Sequence, residues 1–508
     1  MKNNRLLNIP YRGIAIRLFL TCWIIYGLHF ATNIVREVYP AMSLGDHLTF
    51  DVTEYQGLHP DIFEYPGRGW YINNNLGASI LGAVPYSLAR PLIDTITTRV
   101  QTSRAASGAE APEYESVYPL AREFYRRAFT KGLDIKFGMA AGVMQAGLMA
   151  PLSALSAVLM FYVLVYLKVG VRLSLALALL YAFATPIFYR TAQLNHNLLQ
   201  SHFIFFAFVL LWRPWDTADN PHRPRYFLAG LLCGWTIVLD YSGMILIAAV
   251  SLYTLLRWWG MPEGKRPFSD LIWYGLGVTA SVSVLLAVQW IAFGHPIYPA
   301  QQYMPDTRFS GAGYQGMSLP QLDLIFILLF GSQYGLFTSA PFLLLALYPP
   351  AWFNQQFRLI GNKETWFILF LSLSFLLFTA ANQFSRMQFN TGIRHIVPVT
   401  PFLFLIAAGL FLRLPKMLAW LFAILTVYWS WALAMYRDVE LGRGILEAPI
   451  NITLDGPRLP WLQTLDLMGI LPDFNVAIPI LLLAGLGIAA LWLLNIPALK
   501  VQRPSFRL

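Results

Sequence analysis

The sequence predicts an all-α polytopic membrane protein with about 11–13 transmembrane helices and a large first extracytoplasmic loop containing interfacial helices. Three observations predict it. The 508 residues are 57% hydrophobic and only 12% charged, whereas a soluble domain carries about 25% charged residues. Apolar runs of about 20 residues recur along the chain, the length that crosses a hydrocarbon core of about 30 Å. Lys and Arg gather in alternate short loops, the pattern that orients membrane helices. Together these exclude a disordered chain, a secreted disulfide scaffold and an ordinary cytosolic enzyme.

Taken in order, the apolar runs place helices near 14–34, 137–167, 171–188, 198–212, 226–240, 242–257, 271–293, 322–350, 366–381, 396–412, 416–435 and 476–495. The first is long for a signal peptide. Asn33, Arg36 and Glu37 follow it where small cleavage-site residues should stand, so it reads as an uncleaved anchor. The runs on either side of Asp240 are separated only by the turn Asp240-Tyr241-Ser242-Gly243. With the N-terminus inside, Lys2, Arg5, Arg12 and Arg17 fall on the cytoplasmic side. So do Lys168, Arg172, Arg213, Arg223, Arg225, Arg257, Arg358, Lys416 and Lys500. The net charge of +10 is thereby a topology signal and implies no nucleic acid. Cys22 and Cys233 both lie in apolar runs and read as packing residues.

The chain divides into residues 1–35, an N-terminal tail and first helix; 36–136, an extracytoplasmic loop; 137–435, the helical core; and 436–508, an extracytoplasmic segment, last helix and cytoplasmic tail. Within the loop, 42–75 is polar and aromatic. Residues 76–93 are apolar but too short to span comfortably, and read as a helix lying at the membrane interface or tucked into the protein. Residues 94–132 are charged.

Chemistry-bearing residues fall in three groups, all assigned to the non-cytoplasmic face by the distribution of Lys and Arg. The first is Gly45-Asp46-His47-Leu48-Thr49-Phe50-Asp51-Val52-Thr53-Glu54. A carboxylate at a membrane surface among aromatic rings can act as a general base, or can hold a divalent metal through oxygen. A solvated acidic loop is the alternative. The second is Tyr71-Ile72-Asn73-Asn74-Asn75 running into Leu76-Gly77-Ala78-Ser79, where helix capping competes with ligand binding by Asn75. The third is scattered over later helix ends: Arg190, Asn195 and His196; Asp240 and Tyr241; His295, Gln301 and Tyr303; Arg386, Asn390, Arg394 and His395. Ionisable side chains at such positions are costly in a bilayer and commonly functional. Arginines bind phosphate oxygens bidentately, and Asn, Gln, His and Tyr hydrogen-bond sugar hydroxyls. No Walker loop or nucleotide-binding fingerprint stands in a usable context.

This pattern resembles the GT-C superfamily of polytopic glycosyltransferases, which includes protein O-mannosyltransferases and aminoarabinose transferases. The resemblance rests on Gly45-Asp46 with Asp51 in the first loop. It also rests on an Asn-Asn-Asn-Leu-Gly-Ala-Ser stretch ending in Pro85-Tyr86, where Leu76 replaces the expected proline. It implies a polyprenyl-phosphate-linked sugar as donor and a lipid, glycan or protein acceptor. It implies catalysis by Asp46, with Asp51 second, in a multi-pass protein of the inner (plasma) membrane whose site faces the periplasm or exterior. The acidic pair usual in that superfamily is missing, since His47 follows Asp46, which leaves open which carboxylate acts and whether a divalent metal is held. A transporter or an O-antigen-ligase-like enzyme is the competing expectation. Polar residues at midplane in paired broken helices would mark the transporter, and one large late loop the ligase.

Overall fold

The computed structural model describes residues 11–32, 35–114, 119–213, 223–261, 267–306, 309–386, 392–437, 444–471 and 474–494. The chain is mostly helical, with 72% helix and 2% strand. The principal helices are α1 (Arg12–Leu28), α2 (Val38–His47), α3 (Gly77–Ser107), α4 (Asp134–Tyr166), α5 (Val171–Phe183), α6 (His196–Trp212) and α7 (Arg223–Leu239). They continue with α8 (Gly243–Trp259), α9 (Phe268–Phe293), α10 (Asn362–Ala381), α11 (Thr400–Phe411), α12 (Lys416–Met435) and α13 (Ala477–Leu493).

Among the described residues, α4, α9, α10 and α12 are long and apolar enough to cross a membrane. Only 28% of the apolar stretch of α9, and as little of α12, is buried inside the protein. Trp290, Ile291, Trp420, Leu421 and Ile424 point outward and exposed. An outward apolar surface on this scale is unfavourable in water and favourable against lipid. By contrast α6 is buried along nearly its whole length, both the apolar run Phe203–Trp212 and the polar residues His196, Asn197, Gln200, Ser201 and His202 of its first two turns.

Close backbone approach joins α7 to α9. A Cβ on Gly230 would lie 2.0 Å from the Tyr274 carbonyl oxygen, one on Gly234 2.8 Å from that of Val278, and one on Gly277 2.2 Å from that of Phe227. Gly230 and Gly234 are four residues apart, the small-xxx-small spacing by which helices pack without a hydrophobic driving force. In α4 a π-helical turn at Gln145–Met149 turns Gln145 inward, where its amide donates to the Tyr26 carbonyl at 2.8 Å and the Thr191 carbonyl at 3.2 Å.

The first helix, expected over 14–34, ends at Leu28, and the run 171–188 breaks after Phe183; three further elements differ from the sequence reading. The run 322–350 is not one helix but Leu322–Phe330, Leu336–Ser339, a 3-10 turn at Pro341–Leu347 and Pro350–Phe353. Gly331, Gly335, Pro341 and Pro350 interrupt it, glycine by backbone freedom and proline by its missing N–H. The helix expected over 76–93 continues to Ser107 through Pro85 and Pro91. The polar, aromatic stretch before it contains an antiparallel hairpin, β1 (Ile62–Tyr65) with β2 (Gly69–Ile72), pairing Phe63 with Tyr71. Its signal was Tyr65-Pro66-Gly67-Arg68-Gly69, with Gly67 at φ 78° making the turn.

Helix ends and connections meet at one end of the bundle. The Ala31 N–H donates to the Ala192 carbonyl at 2.7 Å. Arg437 Nη1 donates to the Tyr189 carbonyl at 2.9 Å. Ser79 Oγ donates to the Glu37 carbonyl at 2.7 Å. A Cβ on Gly77 would lie 2.5 Å from the Val238 carbonyl oxygen, so α3 starts directly against the end of α7.

Candidate functional site

A charged cluster occupies this end. Glu37 precedes α2, and its carboxylate Oε1 lies 2.5 Å from His196 Nδ1 and 3.5 Å from Arg36 Nε. The Glu37 and His196 side chains are only 3% and 4% exposed. His196 opens α6 and is fixed there by Asn195, whose Oδ1 accepts from the Leu198 N–H at 3.1 Å as an N-cap. The second imidazole nitrogen, Nε2, lies 3.9 Å from Asp240 Oδ2. Asp240 sits in the turn between α7 and α8, where its Oδ1 accepts from the Ser242 N–H at 2.9 Å. Its side chain is 36% exposed, the accessible member of the line. Arg36 reaches Asp61 Oδ2 at 3.5 Å and donates to Asn73 Oδ1 at 3.2 Å. His59 Nδ1 accepts from the Asp61 N–H at 3.0 Å. Arg394 stands within electrostatic reach of Arg36, Glu37, Asp240 and Asp61.

These charges set one another. Burial alone would raise the Glu37 carboxyl. The His196 hydrogen bond and charge, with Arg36 and Arg394, hold it well below the usual carboxylate range. Burial is likewise outweighed at Asp240 by His196, the Ser242 hydrogen bonds and Arg36, and its carboxyl is also lowered. Burial and Arg36 push Arg394 down to about 10, against the pull of Glu37, Asp240 and Asp61. An ionised Glu37 is an acceptor only, so His196 Nδ1 carries the proton of their hydrogen bond and Nε2 is the nitrogen presented to Asp240.

Asp46 lies at the far end of α2. Nine residues at the helical rise separate it from Glu37 by roughly 14 Å. Its carboxylate is 2.7 Å from Lys136 Nζ and 3.2 Å from Arg90 Nε, and accepts from the Tyr86 hydroxyl at 2.9 Å. A Cβ on Gly45 would lie 2.4 Å from the Tyr86 ring, so α2 and α3 are locked together here. Asp46, His47 and Glu54 place ligand atoms within 4.8 Å of one another. Lys136 and Arg90 already neutralise the one buried carboxylate, however, so the donor set does not fit a divalent metal. Asp51 Oδ1 accepts from the Thr53 N–H at 2.9 Å and the Trp70 N–H at 3.2 Å, which folds the loop onto β2.

The remaining sequence candidates divide. Arg190 is 1% exposed; its Nε donates to the Ile393 carbonyl at 2.7 Å and its Nη2 to the Gly392 carbonyl. It therefore positions the segment that carries Arg394 and half-buried His395. Asn75 Nδ2 donates to the Ile237 carbonyl at 2.8 Å, and Gln301 Nε2 to the Asn73 carbonyl at 2.9 Å. Tyr303 lies between the Phe293 and Tyr65 rings, 5.0 and 4.8 Å between centroids. His295 accepts from the Ile297 and Tyr298 N–H groups at 3.3 Å. Arg386 pairs with Asp323 at 2.7 Å and donates to Gln321 at 2.7 Å, contacts apart from the Glu37 cluster. Tyr241 accepts from Gln289. Asn390 lies outside the described residues.

No family model, curated protein or solved structure matches this chain. The geometry stands by itself.

Of the cluster, sequence reasoning selected His196, Asp240 and Arg394, placed Asn73 in a candidate stretch, and passed over Arg36, Glu37, His59 and Asp61. Arg36-Glu37 was legible as a charged pair closing an apolar run. That position is where an ionisable side chain needs a partner from another segment.

Proposed function

We propose that this chain is a multi-pass glycosyltransferase of the plasma (inner) membrane. It moves a sugar from a polyprenyl-phosphate donor to a lipid, glycan or protein acceptor at the non-cytoplasmic face, with inversion. The observation that carries the reading is the Glu37–His196–Asp240 line flanked by Arg36 and Arg394, at the end of a bundle with an outward apolar belt. It joins an accessible carboxylate and two guanidinium groups in one place, the pair of functions that displacement from a lipid phosphate needs.

Asp240 takes the proton of the acceptor hydroxyl as that oxygen attacks the anomeric carbon. The bond from that carbon to the lipid phosphate oxygen breaks, and the phosphate leaves with both electrons. Arg394 and Arg36 stabilise the charge that develops on it, the electrostatic contribution expected to be largest. The Ser242 N–H holds Asp240 in place, and the buried Glu37–His196 pair lies beside it, with Nε2 at 3.9 Å. Asp240 takes the role expected of Asp46, because Asp46 is held by Lys136 and Arg90. The distribution of Lys and Arg supports a non-cytoplasmic position for this end.

The test is turnover of the full-length protein in nanodiscs with a panel of polyprenyl-phosphate hexoses and pentoses, each offered with a lipid, a glycan and a peptide acceptor bearing free hydroxyls. Conversion of phosphodiester to phosphomonoester is followed by phosphorus NMR. Asp240→Asn lowers kcat by about 10²- to 10⁴-fold, whereas Asp46→Asn keeps most of the rate and melts at a lower temperature. Full activity in Asp240→Asn removes the base assignment. No turnover with any donor removes the reading.

A further inference from the structure

The end of the bundle opposite the charged cluster carries an open groove. Arg394 precedes α11 and Arg413 follows it, so the 12 residues of that helix, roughly 18 Å at the helical rise, separate the two regions. The groove has a volume of about 350 Å³. Its walls are Leu344 and Leu345 of the 3-10 turn, Leu410 and Leu414 at the end of α11, and the rings of Tyr348 and Phe357, 6.0 Å apart between centroids. It lies where the apolar run 322–350 breaks into short pieces. A Cβ on Gly409 would lie 2.0 Å from the Phe357 carbonyl oxygen, so the segment before α10 is pressed against α11 and one wall is fixed.

One charged side chain enters the lining. Arg413 is exposed, and its Nε donates to the Gln356 carbonyl at 2.9 Å, which holds the guanidinium at the rim. Arg358 stands two residues from Gln356, and Lys416 three from Arg413. Among the described residues no carboxylate pairs with any of these three cations. Just beyond Lys416 the outward apolar surface resumes with Met417 and Trp420, both exposed.

These features select a ligand. An open groove encloses too little of a soluble molecule to hold it, but suits one whose remainder stays in the bilayer. Leucine walls favour hydrocarbon. Cations without carboxylates favour phosphate, which arginine grips through two N–H groups. The distribution of Lys and Arg also assigns this end to the cytoplasmic side, the leaflet in which anionic phospholipids concentrate.

We propose that this groove holds an anionic phospholipid of that leaflet, with an acyl chain along Leu344, Leu345 and Leu410 and its headgroup on Arg413. The lipid covers the break in the apolar run and ties it to the end of α11.

Full-length protein in detergent micelles is titrated with dioleoylphosphatidylglycerol, dioleoylphosphatidylcholine and farnesyl phosphate, and bound lipid is counted by native mass spectrometry. Phosphatidylglycerol binds about fivefold more tightly than phosphatidylcholine, the weight of one cation against an anionic headgroup. Arg413→Gln removes that preference and Arg413→Lys keeps it. Leu344→Trp fills part of the groove, leaves every charge in place and weakens binding of both phospholipids. Arg12→Gln, at an exposed position that the charge pattern puts on the same side but outside the lining, changes neither. If Arg413→Gln melts lower than the native protein, Leu344→Trp carries the test. Equal affinity for the two phospholipids overturns the proposal, as does a preference that a folded Arg413→Gln retains or that Arg12→Gln also abolishes. Unchanged binding in Leu344→Trp places the lipid elsewhere. Displacement of phosphatidylglycerol by an equal concentration of farnesyl phosphate gives the groove to an isoprenoid phosphate and likewise removes the phospholipid.

Discussion

At His196 the identity of the neighbour decides the chemistry. Asn195 caps the helix, Glu37 fixes which nitrogen holds the proton, and Asp240 receives the other nitrogen's face. Three residues thus determine one ring. The lowered carboxyls of Glu37 and Asp240 have a consequence for stability. A carboxyl held below its unfolded value of about 4 contributes stability that is complete above that pH and is lost as pH falls below it. Thermal melting in detergent therefore shows a steeper loss of stability below about pH 4.5 for the native protein than for Glu37→Gln. Equal slopes contradict the pairing. Residue types alone pointed to His196, Asp240 and Arg394, since each stands at a helix end. Glu37 was legible as half of a charged pair closing an apolar run, but its pairing with His196 was not, because nothing local distinguishes Glu37, turned inward, from Asp46, paired with Lys136 across the loop.

At the scale of elements, apolar length was the strongest signal. It gave α4, α9, α10 and α12 to within a few residues, because nothing but an apolar surround suits such runs. It failed at 322–350, where glycine and proline cut an equally apolar run into short pieces. It also passed over β1 and β2, whose turn is marked by proline and glycine while the strands are only four residues each. Sequence spacing at Gly230 and Gly234 carries information of a different kind, for it dictates how closely α7 approaches α9. Gly230→Val places a branched side chain where even a Cβ lies 2.0 Å from a backbone oxygen. Overpacking of this kind costs about 1–3 kcal/mol, so the variant melts lower in detergent. Gly275→Val, at a position where a Cβ meets nothing within 4 Å, leaves melting unchanged. The reverse order of the two effects would exclude this packing.

For the whole molecule, the outward face of α9 and α12 is the deciding property. Trp290, Trp420 and Ile424 stay exposed in the folded chain, so the isolated protein is incomplete in water. Alkaline carbonate washing of membranes leaves the chain in the pellet; its release into the supernatant contradicts a membrane-embedded protein. The charged cluster sits at the end of this belt, where groups that need water meet groups that avoid it. The same arrangement gives Arg190 its meaning. Entombed and gripping two successive carbonyls, it sets the path of the backbone just ahead of Arg394. The entropy lost in ordering that stretch is settled when the chain folds. On the transfer reading proposed above, a lipid phosphate meets a cation already in place, with no ordering of that stretch left to oppose binding.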